Sequence, residues 1–353
     1  MEEQPTSRMV DWELAVRVGS RLAGDGPQVG ADEAAACVEE LRAGAERSTP
    51  LVRDFTGLLA QERTAPVLVV DRAGWVRANA DAFQTVIGPL VDRLQERKGR
   101  PSPLVEAVGS RVTGVEVGGM LGFLAGKVLG QFDPFHDAPG EAGRLLLVAP
   151  NIVHVERELD VDPHDFRLWV CLHEETHRVQ FTAVPWMRDH LHAEMGQILD
   201  TVRTDPSELL GQLAGKVGDL ARGRGDAGSL LDLFASPEQK AVIDRVTGVM
   251  SLLEGHADVV MDGVGPEVIP SVGTIRERFT ERRKGMGTLD RLLRRLLGLD
   301  QKMAQYRDGA AFVRAVVDKV GVEGFNAVWA EPANLPSKAE ILDPGSWLRR
   351  VHG

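Results

Sequence analysis

The segment HEETH, residues 173–177, places two histidines four residues apart and a glutamate directly after the first. Side chains four apart on a helix have Cβ atoms about 5–6 Å from each other, so two imidazole nitrogens can reach one zinc ion at ~2.0–2.1 Å each. Glu174 could then take a proton from a zinc-activated water and return it to a leaving amine. The spacing predicts a zinc hydrolase centre in which His173 and His177 are ligands and Glu174 is the catalytic acid and base.

The residues around this segment predict a helix over 163–184. Asp162 is typical of an N-cap, Pro163 suits the first helical position, and Pro185 bounds the end. On a helical wheel both histidines share a face with apolar side chains, namely Phe166, Trp169, Val170, Phe181 and Val184. An unpaired polar group costs about 1–3 kcal/mol when buried, and a shared metal ion would satisfy both rings. Glu175, roughly 160–200° from the histidines, is interpreted as a solvent or structural residue.

A third protein ligand is expected in the segment SLLEGHADVVMDG, residues 251–263. Glu254 lies at the margin of the apolar stripe of this predicted helix, and it would complete a site of two histidines and one glutamate that leaves the fourth position for water. Asp258, one turn later, could accept the other ring N–H of a ligand histidine. His256 and Asp258 remain rival third ligands, and the acidic residues could also simply end an amphipathic helix.

Three further residues, two histidines and a tyrosine, carry side chains that could act at this centre. His190 and His192 form an HxH pair, which on a helix points the two rings about 200° apart, so structural roles are favoured for them. Tyr306 is the sole tyrosine and could donate a hydrogen bond to a developing oxyanion, although a packing role is favoured.

The remaining chain predicts a mainly α-helical (α+β) fold with a small β-sheet. Residues 1–60 are predicted to form an N-terminal helical segment, and residues 61–353 one catalytic domain. Short apolar runs at 65–75 and 143–150 predict strands, and the alternating pattern at 151–157 predicts an edge strand suited to an extended peptide. Glycines at every fourth position, 114 to 130, predict a buried helix that a neighbouring backbone approaches closely.

Composition excludes several classes of function. A net charge of −11 argues against a general nucleic-acid binder, and the basic stretch 276–285 is interpreted as a solvated helix face because acidic residues interrupt it. The uncharged run between Glu116 and Lys127 is far shorter than the ~18–20 residues of a membrane span. The start lacks a secretory signal, so a cytoplasmic location is expected. Two isolated cysteines predict neither disulfides nor a thiolate metal site.

Four segments of the sequence resemble those of an actinobacterial family, zincin-2. The resemblance rests on HEETHRVQF, EGHAD, IPSVGTIRERFTERR and GRLLLVAPNI, and it covers the chain from about residue 65 onward. It implies a helical zincin-like fold and a gluzincin-like site in which His173, His177 and Glu254 bind zinc and Glu174 is catalytic. The separation of His177 from Glu254 by 76 residues departs from familiar gluzincins and leaves the third ligand open. One branch of the family is associated with deazaflavin-coenzyme biosynthesis, which does not imply that the coenzyme binds.

The sequence therefore predicts a zinc-dependent hydrolase, and specifically a metallopeptidase acting on a peptide or amide-containing substrate. Two alternatives stay open: a non-catalytic scaffold or regulatory protein that zinc stabilises, and an amidase for a small metabolite with the same centre. No nucleic-acid partner is expected, and the sequence does not predict the oligomeric state.

Overall fold

The computed structural model of the protein describes residues 9–59, 66–98, 102–136, 143–201, 237–284 and 299–353. The described chain is mostly helical and contains one small sheet, so the predicted mainly α fold is confirmed. Two compact units can be distinguished: Met1–Arg188 with Val260–Lys284, and Asp189–Val259 with Gly285–Gly353. The predicted division near residue 60 stays a prediction.

The helices and strands follow one another along the chain. The first unit contains α1 (Trp12–Ala23), α2 (Ala31–Thr56), β1 (Val67–Val70), α3 (Arg72–Lys98), α4 (Pro103–Ala125), β2 (Gly130–Asp133), β3 (Arg144–Val148), α5 (Ala149–Leu159), α6 (Pro163–Ala183) and α9 (Val272–Lys284). Two helices contribute residues to both units, α7 (Trp186–Thr201) and α8 (Pro237–Val264). The second unit adds α10 (Leu299–Phe325), α11 (Lys338–Leu342) and α12 (Pro344–His352).

The sheet has the strand order β1-β3-β2. β3 is buried along its whole length, pairs parallel with β1 and antiparallel with β2, and sets Gly130 opposite Leu147. At the other end of the β2–β3 pair, Arg144 and Asp133 form a buried ion pair at 3.0 Å. Strands therefore form within the two predicted runs at 65–75 and 143–150, and β2 lies at one edge of the sheet.

The strand predicted at 151–157 is wrong, because these residues belong to helix α5. Pro150 occupies the first turn of that helix, where its missing N–H costs nothing. The exposed residues His154, Arg157 and Glu158 have the three- and four-residue spacing of a helix face, and the residues between them are buried. No peptide-binding edge exists at this position.

Helix α4 packs its glycines against α1. A Cβ on Gly114, Gly118 or Gly122 would lie 2.6 to 2.8 Å from a backbone oxygen of α1 or its N-cap residue. The predicted close approach is confirmed over these three positions, although the opposite face of α4 is exposed. The helix ends at Ala125, so Gly126 and Gly130 lie outside it and are not part of this helix face. No helix in the described part of the chain combines the length and apolar character that crossing a bilayer requires.

The basic stretch on α9 is charge-compensated. Arg282 pairs with Glu158 at 2.8 Å, Arg276 pairs with Asp262 at 2.9 Å, and Arg278 donates to the carbonyl of Leu159 at 2.8 Å. The arginines thus join α9 to the end of α5 and to α8 as well as facing solvent. The interpretation of the stretch as a solvated helix face therefore holds only in part, because partners on neighbouring helices also bind these arginines.

Candidate metal centre

Helix α6 carries the HEETH segment and begins where the sequence predicts. The carboxylate of Asp162 accepts a hydrogen bond from the backbone N–H of Asp165 at 3.0 Å, and Pro163 is the first helical residue. The helix ends at Ala183. The segment therefore lies in the middle of a helix whose start is fixed by its own cap.

One side of α6 is held by buried ion pairs. Arg167 forms two hydrogen bonds with the carboxylate of Glu156 on α5, at 2.9 and 2.6 Å. Glu175 is fully buried and pairs with Arg178 at 2.7 Å. The guanidinium of Arg178 also donates a hydrogen bond to Thr49 of α2. Burial raises the pKa of Glu175, against the opposing effect of Arg178. Of the two roles that the sequence left open for Glu175, solvent-exposed or structural, the structure supports the structural one.

The histidines project from another side of α6, with their rings nearly perpendicular and their centroids 4.8 Å apart. Their Nε2 atoms face each other at 3.3 Å. Nδ1 of His177 lies 2.9 Å from Oε1 of Gln180, and Nδ1 of His173 lies 3.3 Å from Sδ of Met261. Because an amide oxygen and a thioether sulfur are both acceptors, the hydrogen of each neutral ring belongs on Nδ1, and each Nε2 keeps its lone pair.

This arrangement fits a metal ion. Two lone pairs at 3.3 Å repel each other, and a shared cation converts the repulsion into two ligand bonds. Two nitrogens bound to one tetrahedral zinc ion at ~2.0–2.1 Å lie about 3.3–3.4 Å apart, which agrees with the separation of the two Nε2 atoms. The donor set is also of the type that zinc prefers.

Glu254 is the third member of the candidate group. Among the described residues, one set of side chains could share a metal ion, and it consists of His173, His177 and Glu254, whose ligand atoms lie within 4.8 Å of one another. All three side chains are half-buried. Met261, which contacts His173, lies two helical turns after Glu254 and on the same face of α8, since seven residues correspond to almost two full turns.

The rival ligands have other surroundings. The ring of His256 is buried between aromatic side chains, 5.4 Å from the ring of Phe325 and 5.3 Å from that of Trp329. Asp258 accepts a hydrogen bond from Arg314 at 3.2 Å. Neither residue belongs to the group of ligand atoms described above. The suggestion that Asp258 orients a ligand histidine stays a prediction.

Glu174 is buried against the edge strand β2. A Cβ on Gly130 would lie 2.5 Å from Cγ and 2.9 Å from Oε1 of Glu174. Seven residues along α6, the ring of Phe181 lies 5.7 Å from that of Phe132 on the same strand. The strand thus runs beside α6 and touches the predicted catalytic carboxylate.

Three residues near the centre were missed by sequence reasoning: Gln180, Met261 and Gly130. The position of Gln180, three residues after His177, could have indicated it, because side chains three apart on a helix are neighbours. Met261 and Gly130 approach α6 from distant parts of the chain, and no local pattern predicts either contact.

The other candidates lie elsewhere or are not described. His190 is half-buried and His192 exposed on α7, and neither belongs to the group of ligand atoms. Tyr306 is on α10, and its side chain lies outside the described residues.

Comparisons with known proteins agree with this chemistry. A profile of the family described as zincin-like metallopeptidase matches residues 10–348. A crystal structure from Chloroflexus aurantiacus, described as that of "a putative hydrolase with a novel fold", is 32% identical in sequence and has a TM-score of 0.69. The match covers 97% of this chain and 98% of that one. No curated protein matches the chain.

Proposed function

The chain belongs to the zincin-like metallopeptidase family, and we propose that it is a zinc-dependent hydrolase that cleaves peptide bonds. The observation that carries this proposal is the pair of Nε2 atoms on α6, held 3.3 Å apart with both Nδ1 atoms next to acceptors. The similarity to the crystal structure described as that of "a putative hydrolase" supports the same class of reaction. The association with deazaflavin-coenzyme biosynthesis stays a prediction from resemblance.

His173, His177 and Glu254 would hold the ion through two neutral nitrogens and one carboxylate. This set leaves one tetrahedral position for water or substrate, as catalytic zinc sites do. When bound, zinc lowers the pKa of its water to about 7 and polarises a carbonyl. The remaining chemistry falls to the protein's own side chains.

Glu174 is the proposed proton carrier. It follows His173 directly in α6, and its side chain is buried against Gly130. In the proposed reaction its carboxylate accepts a proton from the attacking water and then donates that proton to the leaving amine nitrogen. Contact with β2 limits the positions that the carboxylate can take, so the proton would be accepted and donated at one fixed position.

The edge strand β2 is the proposed docking element for the substrate. An extended peptide can add to a sheet edge through main-chain hydrogen bonds. Since Gly130 begins β2 and touches Glu174, a peptide paired with this strand would pass the catalytic carboxylate. This role takes the place of the edge strand that the sequence wrongly suggested at 151–157.

Metal analysis of the purified protein tests the proposal. We expect about one zinc per chain in the wild type, and loss of stoichiometric zinc in His173→Ala and in Glu254→Ala. His192→Ala, which removes an exposed histidine of α7, is the matched control and should retain zinc. Full zinc occupancy in His173→Ala would contradict the two-histidine site.

Substrate screens test the second half of the proposal. We expect cleavage within a library of unstructured peptides, and no turnover of small amides under the same conditions. Turnover of small amides without peptide cleavage would contradict the peptidase proposal and indicate an amidase. A zinc-loaded protein that is inactive in both screens, with Glu174→Gln changing nothing, would indicate a scaffold.

A further inference from the structure

We propose that Gln180 is a positioning residue that fixes the ring orientation and the protonated nitrogen of His177, and thereby sets the affinity of the site for its metal. The inference rests on the proposed function, because it takes His177 as a ligand. It concerns a residue outside the proposed ligand set, and its effect would act through the imidazole of His177.

The contact is local and well defined. Gln180 lies three residues after His177 on α6, and its Oε1 lies 2.9 Å from Nδ1 of the ring. Gln180 is fully buried, whereas His177 is half-buried. A buried amide held on a continuous helix has little freedom to turn away, so the acceptor is pre-organised at the ring.

The chemical consequence follows from the two nitrogens of a neutral imidazole. Only one of them carries a hydrogen, and the other offers a lone pair. An acceptor at Nδ1 stabilises the form with hydrogen on Nδ1, which leaves Nε2 able to bind a cation. Without that acceptor, the form with hydrogen on Nε2 would compete, and its hydrogen would point toward Nε2 of His173 at 3.3 Å.

The two histidines have different hydrogen-bond acceptors beside their Nδ1 atoms. His173 has the thioether of Met261 beside its Nδ1, at 3.3 Å, and a thioether is a weak acceptor. The amide oxygen of Gln180 is a much stronger one. Of the two contacts, the one made by Gln180 should therefore contribute more to selecting the metal-binding form.

Competition between the full-length protein and a chromogenic chelator for zinc measures this contribution. Loss of the hydrogen-bond partner of a ligand histidine lowers metal affinity by about 10–100-fold, and we expect this loss in Gln180→Leu. Gln180→Glu keeps an acceptor at the same position and should retain affinity within a few-fold or bind zinc more tightly. Thr182→Val removes another buried hydrogen bond of the same helix, to the carbonyl of Arg178, and should leave zinc affinity unchanged.

The outcomes separate this inference from the proposed function. If the wild type binds no zinc, the proposed function fails. If the wild type binds zinc and Gln180→Leu binds it equally well, or Gln180→Glu loses as much affinity as Gln180→Leu, only the role of Gln180 is overturned. If Gln180→Leu does not fold, ¹⁵N NMR of the labelled histidines in the zinc-free wild type, at a pH where the rings are neutral, still decides. Hydrogen on Nδ1 of His177 supports the inference, and hydrogen on Nε2 contradicts it.

Discussion

Gly130 and Glu174 lie so close together that any side chain at position 130 would force the side chain of Glu174 to move. A Cβ there would be 2.5 Å from Cγ, 2.8 Å from Cδ and 2.9 Å from Oε1 of the glutamate. The backbone of Gly130 does not have a positive φ, so any residue could adopt its conformation. The backbone therefore imposes no need for glycine at this position, and the constraint that remains is the contact with the side chain of Glu174.

Gly130→Ala should displace the Glu174 carboxylate while leaving the histidines in place. Because a shift of about 1 Å at a reacting group can cost on the order of 10²-fold in rate, we expect kcat to fall by about this factor with zinc content unchanged. Steady-state kinetics with metal analysis measures both. Gly119→Ala on α4 is the control, since a Cβ there meets nothing within 4 Å. Wild-type kcat in Gly130→Ala would show that the contact does not position Glu174.

Glu174→Gln tests proton transfer itself. The amide keeps the shape of the side chain but does not accept and return a proton at neutral pH. General acid and base catalysis contributes about 10²–10⁴-fold, so kcat should fall by that range while zinc stays bound. Peptide hydrolysis under saturating substrate, with zinc content measured on the same sample, provides the result. Loss of zinc together with activity would point to a role of Glu174 in the site's integrity.

The sequence predicted those parts of the centre that a single helix determines. The spacing of His173, Glu174 and His177, the N-cap at Asp162 and the end near Pro185 all follow from helical periodicity and local capping, and the structure agrees with them. What approaches that helix depends on tertiary packing. The contacts of Gly130 with Glu174 and of Met261 with His173 join residues 44 and 88 positions apart, and neither has a local signal.

The error at 151–157 has a definite physical origin. Over seven residues an alternating pattern and a helical pattern overlap, and hydrophobicity alone favoured the strand. Glu156, a charged residue of this segment, is buried because Arg167 on α6 pairs with it. When the ion-pair partner of a charged residue lies on another helix, the local sequence does not show whether that residue is buried or exposed.

Arg167→Met should destabilise the first unit strongly. Arg167 neutralises the buried carboxylate of Glu156 and also binds Glu40 of α2, and burial raises the pKa of Glu156. Removing one partner of a buried pair costs about 3–5 kcal/mol, so the free energy of unfolding in denaturant should fall by about that amount. Arg349→Met is the control, because its pair with Asp343 is exposed and screened by solvent, so its loss should have little effect on stability. Equal effects of the two substitutions would contradict a structural role for the buried pair.

The pair of His164 and Glu40 predicts a pH-dependent contribution to stability. The hydrogen bond and charge of Glu40 raise the pKa of His164 above its usual 6.5. A raised histidine pKa means that the folded state binds the proton more tightly than the unfolded state. The resulting stabilisation is fully present below pH 6.5 and disappears as the pH rises through the folded-state pKa.

Thermal unfolding of the wild type and of His164→Ala between pH 5.5 and 9 checks this sign. The wild type should have the higher Tm at the acidic end, and the difference should shrink toward zero by about pH 9, where neutral imidazole no longer attracts the carboxylate. Because His164 is largely exposed, 0.5 M salt should reduce the acidic difference by screening the pair. A Tm difference that is independent of both pH and salt would mean that the ring contributes through packing, with its charge playing no part.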